Sequence, residues 1–151
     1  MIGLLQRVSS ASVSAGGEVI GTIGTGLLVL IGVERDDGVA QAERLLERLL
    51  GYRVFPDAEG RMNLSLRDVG GGLLLVPQFT LAADTGKGTR PSFSSAAAPG
   101  AGRALFEHLL ERARAQHPAV ASGRFGAEMR VALVNEGPVT FSLRVAPHAQ
   151  H

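Results

Sequence analysis

Cysteine is absent from this 151-residue chain, which rules out disulfides, thiolate nucleophiles and cysteine-based zinc sites. Tryptophan is absent too, and a single tyrosine, Tyr52, leaves the core to be built mainly from Leu, Val, Ile and Ala. Lysine is nearly missing: Lys87 stands alone against fourteen arginines. The formal charge of +1 lacks the positive excess of a protein that wraps a long nucleic acid, but arginines clustered by the fold could still meet one end of an RNA. The longest apolar stretch, Gly26 to Val33, is far too short for a bilayer, and Met1–Arg7 is too short and too quickly charged for a secretory signal. The expected setting is cytoplasmic, with no membrane contact.

Histidine is scarce where chemistry would need it. His108 and His117 fall on or at the end of a helix, and His148 and His151 fall in the tail, so all four read as surface or tail residues. No histidine sits beside a serine or threonine as a triad requires, and no spacing matches a metal motif. Asp84 has no second carboxylate beside it for glycoside chemistry. Gly70-Gly71-Gly72 lacks the lysine and helix of a phosphate loop and reads as a turn. The expectation is no metal and no cofactor.

What is present centres on Leu73-Leu74-Leu75-Val76-Pro77-Gln78-Phe79-Thr80-Leu81-Ala82-Ala83-Asp84-Thr85. It opens as an uncharged run, the pattern of a strand buried on both faces. It then delivers an amide and a hydroxyl, each costing on the order of 1–3 kcal/mol if buried without a partner. Gln78 and Thr80 either satisfy backbone groups at a strand end or stand on a rigid support at the rim of a cavity.

Taken in order, Ile2 to Val13 and Val19 to Ile23 predict a hairpin about Ala15-Gly16-Gly17-Glu18, with Leu27–Val33 as a third, central strand of a β-meander. Asp36-Asp37-Gly38 predicts a cap for a helix over Val39–Leu50 with Ala42, Leu45, Leu46, Leu49 and Leu50 inward. Arg53-Val54-Phe55 is a short strand closed by the Pro56–Gly60 turn; residues 61–66 are ambiguous. Asp84 to Gly102 predicts a long functional loop carrying Lys87, Arg90 and Phe93. A second helix follows over Ala104–Gln116, with Leu105, Leu109 and Leu110 buried, and Val120–Gly126 is a loop or bulged edge. Two last strands flank Asn135-Glu136-Gly137-Pro138, which reads as a hairpin turn or, if the Gly-Pro bond is cis, as a rigid wall of outward carbonyls. The fold class is α+β: one domain over residues 1–145, with a mostly antiparallel, barrel-like sheet and two principal amphipathic helices. A frayed tail, 146–151, follows.

Val76–Thr85 and Asn135–Thr140 together resemble the two signature motifs of the D-aminoacyl-tRNA deacylases. Similar stretches recur at Gln6-Arg7-Val8, Gly51–Phe55, Met62–Leu64, Arg90–Phe93 and Gly123–Met129, so the resemblance runs to Val145. It departs at Pro77, where the family usually has serine. A sister group of animal deacylases that edits a mischarged L-amino acid carries proline there but lacks the phenylalanine that Phe79 represents.

The resemblance implies a homodimer with active sites at the subunit interface, hydrolysing the ester of D-aminoacyl-tRNA or glycyl-tRNA. It places Gln78, Phe79 and Thr80 in the catalytic role, the tRNA 2′-hydroxyl helping to activate water, with direct attack by Thr80 as the alternative. Gly137 and Pro138, with Asn135, would reject L side chains across the interface, while Pro77, Phe125 and Met129 would line the pocket. Arg7, Lys87 and Arg90 would meet tRNA phosphates. A deacylase for a mischarged L-aminoacyl-tRNA and a non-catalytic RNA-end binding module are the competing readings.

Overall fold

The computed structural model describes residues 1–147. The opening strands are β1 (Ile2–Ala15), β2 (Glu18–Ile23) and β3 (Gly26–Gly32), followed by α1 (Val39–Gly51), β4 (Phe55–Pro56), β5 (Met62–Leu64) and a single turn of helix, α2 (Leu66–Val69). Then come β6 (Gly72–Pro77), a 3-10 turn (Phe79–Ala82), α3 (Pro99–Gln116), β7 (Val120–Ser122) and β8 (Arg130–Arg144).

β1 organises the sheet. Gly16 and Gly17, at φ +59° and +81°, make the two-residue turn that only left-handed residues allow. β2 then returns along β1, and the register runs on into β3 without a slip: Ile23 faces Ala11, and Gly26 faces Val8. The expected meander is therefore corrected. β3 does not reverse against β2 but prolongs it, so β1 meets one long return strand interrupted at Gly24-Thr25.

The other edge of β1 is taken by β8 along nearly its whole length, from Ile2 opposite Arg144 to Ser14 opposite Arg130. The expected final hairpin is thus also wrong. Asn135–Pro138 does not turn the chain back; it is absorbed as a register shift within one 15-residue strand. On the far side β3, β6 and β7 pair in parallel. The sheet curls until β2 nearly meets β7, where a Cβ on Gly21 would stand 2.9 Å from the Ser122 carbonyl.

Alternation explains the layers. Leu73 and Leu75 of β6, with Leu27, Val29 and Ile31 of β3, face the helices α1 and α3. Leu74, Val76 and Leu28 point the other way, joining Val8, Ala11 and Val13 inside the curled sheet. β6 is accordingly apolar on both faces, as its uncharged run implied.

Helix α1 buries the five residues its spacing selects, and Gln41 as well. Its N-cap is Gly38, whose amide donates to Gln41 Oε1 at 2.7 Å. Asp37 does not cap it: its carboxylate accepts from the Glu34 amide and from the Met1 ammonium. Helix α3 starts earlier than expected because Pro99 sits at its first positions, where a missing N–H costs nothing. Its buried line is Gly102, Phe106, Leu109 and Ala113 rather than Leu105-Leu109-Leu110. His117 is no surface residue: it is buried, with Nε2 2.6 Å from the Gly71 carbonyl oxygen. Val145 still donates to the Met1 carbonyl at 2.9 Å; of the tail 146–151, residues 148–151, and with them His148 and His151, lie outside the described residues.

Candidate functional site

The end of β6 is where the parallel strands stop and the chain must turn. The Gln78 amide makes the last rung, donating to the Ile31 carbonyl at 2.7 Å. The backbone then folds at once into the 3-10 turn, closed by Leu81 N–H to Gln78 O at 3.2 Å. This turn lies directly on the end of β3, because position 32 has no side chain: a Cβ on Gly32 would stand 2.8 Å from Leu81 Cβ. Ser95 Oγ donates to the Ala82 carbonyl at 2.6 Å and pins the far side.

Two consequences follow for chemistry. The Phe79 and Thr80 N–H groups precede the first hydrogen bond of the turn and have no partner within it, the general condition of a helix N-terminus. And Gln78 Nε2 donates to Thr80 Oγ1, so the threonine oxygen is engaged as an acceptor. A nucleophilic hydroxyl needs a base to take its proton. Among the described residues neither a histidine nor a carboxylate lines the adjoining cleft.

That cleft, of about 480 Å³, opens beside the turn. Its walls come from the ends of β3 and β6 (Ile31, Val76, Pro77, Gln78), from Phe79, from the start of α3 (Pro99, Gly102, Phe106) and from the segment carrying Phe125 and Met129. Phe125 is held by the Arg103 guanidinium over its ring at 5.2 Å and by Phe106, ring centres 6.5 Å apart. Met129 is fixed through its sulfur, which lies 3.4 Å from the Arg124 amide and against Gly123. A Cβ on Gly123 would stand 2.8 Å from Met129 Sδ and 3.3 Å from Pro77 Cδ.

Of the residues singled out from the sequence, the fold therefore brings Pro77, Gln78, Phe79, Phe125 and Met129 together around one cleft, with Thr80 exposed beside it. It does not bring Asn135, Gly137 and Pro138 there. These lie on β8, Gly137 and Pro138 exposed, and none of them lines this chain's own cleft. The Gly137-Pro138 bond is cis, with Gly137 at φ +126°. Asn135 spans the irregularity, donating from Nδ2 to Thr140 Oγ1 at 3.0 Å and accepting from the Val139 amide at 3.1 Å. Arg7 reaches it from β1, donating to the Glu136 carbonyl at 3.1 Å and to the Val54 carbonyl at 2.7 Å. Arg7 is thus half-buried and committed to backbone, whereas Lys87 and Arg90 are exposed on the loop after the 3-10 turn.

Gly32, Gly102, Gly123 and Phe106 belong to the site and escaped the sequence reading. At Gly32 and Gly123 φ is not left-handed; each glycine is required by what approaches it, and close approach leaves no mark in a single sequence, whereas a Cβ on Gly102 would meet Phe125 only at an ordinary 3.4 Å.

A barrel-like α+β sheet thus opens an apolar cleft at the carboxyl ends of its parallel strands, with two backbone N–H groups of a 3-10 turn at the lip that have no partner among the described residues. The model of the D-Tyr-tRNA(Tyr) deacylase family matches residues 4–144. A D-aminoacyl-tRNA deacylase of Thioalkalivibrio sulfidiphilus is 67% identical over 147 residues, covering 97% of this chain and 99% of that one. Its counterpart from Nitrosococcus oceani is 63% identical over 150 residues, 99% and 97% of the two chains. Among solved structures, a c-Myc DNA unwinding element binding protein superposes with a TM-score of 0.92 at 36% identity, over 97% of this chain and 99% of that one. A probable eukaryotic D-amino acid tRNA deacylase shares the fold at a TM-score of 0.76 and 20% identity, over 94% and 98%. The chain belongs to the D-Tyr-tRNA(Tyr) deacylase family, whose enzyme class is that of carboxylic ester hydrolases. Among the described residues no helix is long and apolar enough to cross a membrane.

Proposed function

We propose that this protein is a cytoplasmic editing enzyme that hydrolyses the ester between a D-amino acid, or glycine, and the 3′ end of tRNA. The observation that carries the reading is the pair of N–H groups at Phe79 and Thr80, without partners among the described residues, opening a 3-10 turn at the lip of an apolar cleft. Donors held in advance by the fold stabilise the negative charge that develops on an ester carbonyl oxygen during attack by water. Gln78 positions the substrate, and Pro77, Phe125 and Met129 receive it. With no general base in the lining, the substrate's own 2′-hydroxyl supplies the assistance to water. Thr80, already accepting a hydrogen bond from Gln78, acts by positioning rather than as nucleophile.

Chirality is decided by exclusion. In a homodimer, Gly137-Pro138 of one subunit enters the cleft of the other, and an L side chain runs into the Gly137 carbonyl while a D side chain or glycine's hydrogen does not. Support comes from β8 itself: the motif is exposed, anchored by Arg7 and Asn135, absent from its own chain's cleft, and flanked by exposed Leu133, Val134 and Phe141. Lys87 and Arg90 meet the phosphates of the acceptor end.

The test is amino-acid release from matched D- and L-tyrosyl-tRNA, with glycyl-tRNA alongside, at catalytic protein concentration. Loss of the D and glycyl esters with the L ester intact supports the reading. Cleavage of the L ester would mean that Pro77 marks a pocket for a mischarged L-amino acid, and absence of turnover on all three would leave an RNA-end binding module.

A further inference from the structure

Phe93, in Arg90-Pro91-Ser92-Phe93, has no task in the chemistry above, yet it is set with care. The loop that carries it is closed by a two-way backbone bridge, Asp84 N–H to Ser92 O at 2.7 Å and Ser92 N–H to Asp84 O at 2.9 Å. The Asp84 carboxylate accepts from the Gly86 amide at 2.9 Å and shapes its first turn. The loop's return is stapled to the 3-10 turn by Ser95 and to the end of β3 by the Arg35 amide donating to Ser95 O at 3.0 Å. The result is that Phe93 is held beside Phe79, ring centres 5.3 Å apart and planes tilted by 48°.

These rings pack on each other without being buried: Phe79 is 60% exposed and Phe93 45%. Two large rings fixed in water at the lip of a ligand cleft are a cost to the free chain unless something covers them. Three exposed cations belong to the same unit, Lys87 and Arg90 on the loop and Arg35 at its return, and among the described residues none of them forms an ion pair. Exposed aromatic faces next to unpaired cations are what a single nucleic-acid strand requires: stacking for bases, charge for the backbone.

We propose that Phe79 and Phe93 form a stacking platform for the unpaired nucleotides that precede the terminal one at the tRNA 3′ end, with Arg35, Lys87 and Arg90 along their phosphates. This rests on the deacylase reading for the identity of the strand, and on the exposed ring pair for its place. The platform selects single-stranded RNA by stacking rather than by base edges, so it serves every tRNA with a free 3′ end.

The experiment compares D-tyrosyl-tRNA with D-tyrosyl-adenosine, which ends where the platform begins, for wild type, Phe93→Leu and Phe93→Tyr. Phe93→Leu is expected to raise KM on the full tRNA about ten-fold, several-fold more than on the short ester, and Phe93→Tyr to restore it. Equal losses on both substrates, or no loss on either, would overturn the platform. Should wild type hydrolyse neither ester, the deacylase reading fails by itself. The platform is then read from fluorescence anisotropy of labelled uncharged tRNA, where about ten-fold weaker binding by Phe93→Leu supports it and equal binding contradicts it.

Discussion

The two signature stretches of this chain are built in opposite ways. Residues 73–82 leave a strand buried on both faces and line, with Gly102, Phe106, Phe125 and Met129, a cleft within their own chain. Residues 135–140 lie on the outer edge of the sheet, shaped by Arg7 and Asn135, and do not line that cleft. In the proposed function the first holds the substrate, and the second is a shaped, exposed piece offered to another subunit. The proposed division separates catalysis from discrimination, so the two should fail independently when each stretch is altered.

The largest effect is expected at Gly137. At φ +126° any side chain is strained, and a Cβ there would meet Arg7 Nη2 at 2.9 Å. Gly137→Val should lower the D-over-L preference about 100-fold, as parallel release assays on the two tyrosyl-tRNAs would report, while the D rate itself moves far less.

On the cleft side, Gly123→Ala should push Met129 Sδ into the lining and raise KM about ten-fold with kcat little changed. The double variant Gly123→Ala/Met129→Ala should recover most of that loss, and its D-over-L preference should match wild type. A change of selectivity in Gly123→Ala would blur the comparison.

A smaller effect lies away from both stretches, where the Met1 ammonium meets Glu34 Oε2 at 3.0 Å and Asp37 Oδ1 at 2.9 Å. Burial raises the Glu34 pKa, but hydrogen bonds from the ammonium and from Arg144 outweigh it, and the value falls below the ordinary 4.5. A carboxylate with a depressed folded pKa stabilises the fold above 4.5 and loses that contribution as pH falls through the lowered value. Thermal melts should therefore show wild type above Glu34→Gln at neutral pH, with the gap closing below pH 4.5.

The smallest change is expected from Thr80→Ala. Steady-state deacylation should stay within about a few-fold of wild type, because the threonine oxygen accepts from Gln78 and has no base to activate it. A loss approaching that of a true nucleophile would restore direct attack.

Much of this was legible in the sequence wherever periodicity or a local rule governs. The stripe Ala42-Leu45-Leu46-Leu49-Leu50 marks α1, and the uncharged run at Leu73–Val76 marks a strand apolar on both faces. Reading failed where the outcome depends on what lies opposite. Gly24-Thr25 looks like a reversal but only interrupts a strand that stays in register with β1. Asn135–Pro138 looks like a hairpin turn but is held straight by β1 on one edge. His117 looks exposed at a helix end, yet the Gly71 carbonyl waits for it. The same limit hides Gly123 and Gly32, whose need for glycine comes from Met129 and Leu81 rather than from their own backbone angles.

If one subunit's β8 decides chirality in the other's cleft, mixed dimers will reveal it. One subunit carries Gly102→Trp, which builds a large ring into the cleft that Gly102 lines and leaves β8 intact; the other carries Gly137→Val with an open cleft. Mixed dimers purified with two different tags are assayed on D- and L-tyrosyl-tRNA. The account requires the D-over-L preference, lost in the Gly137→Val homodimer, to return in the mixed dimer, because its only working cleft now faces an intact Gly137-Pro138. A mixed dimer as unselective as the Gly137→Val homodimer would place discrimination within a single subunit and contradict the account.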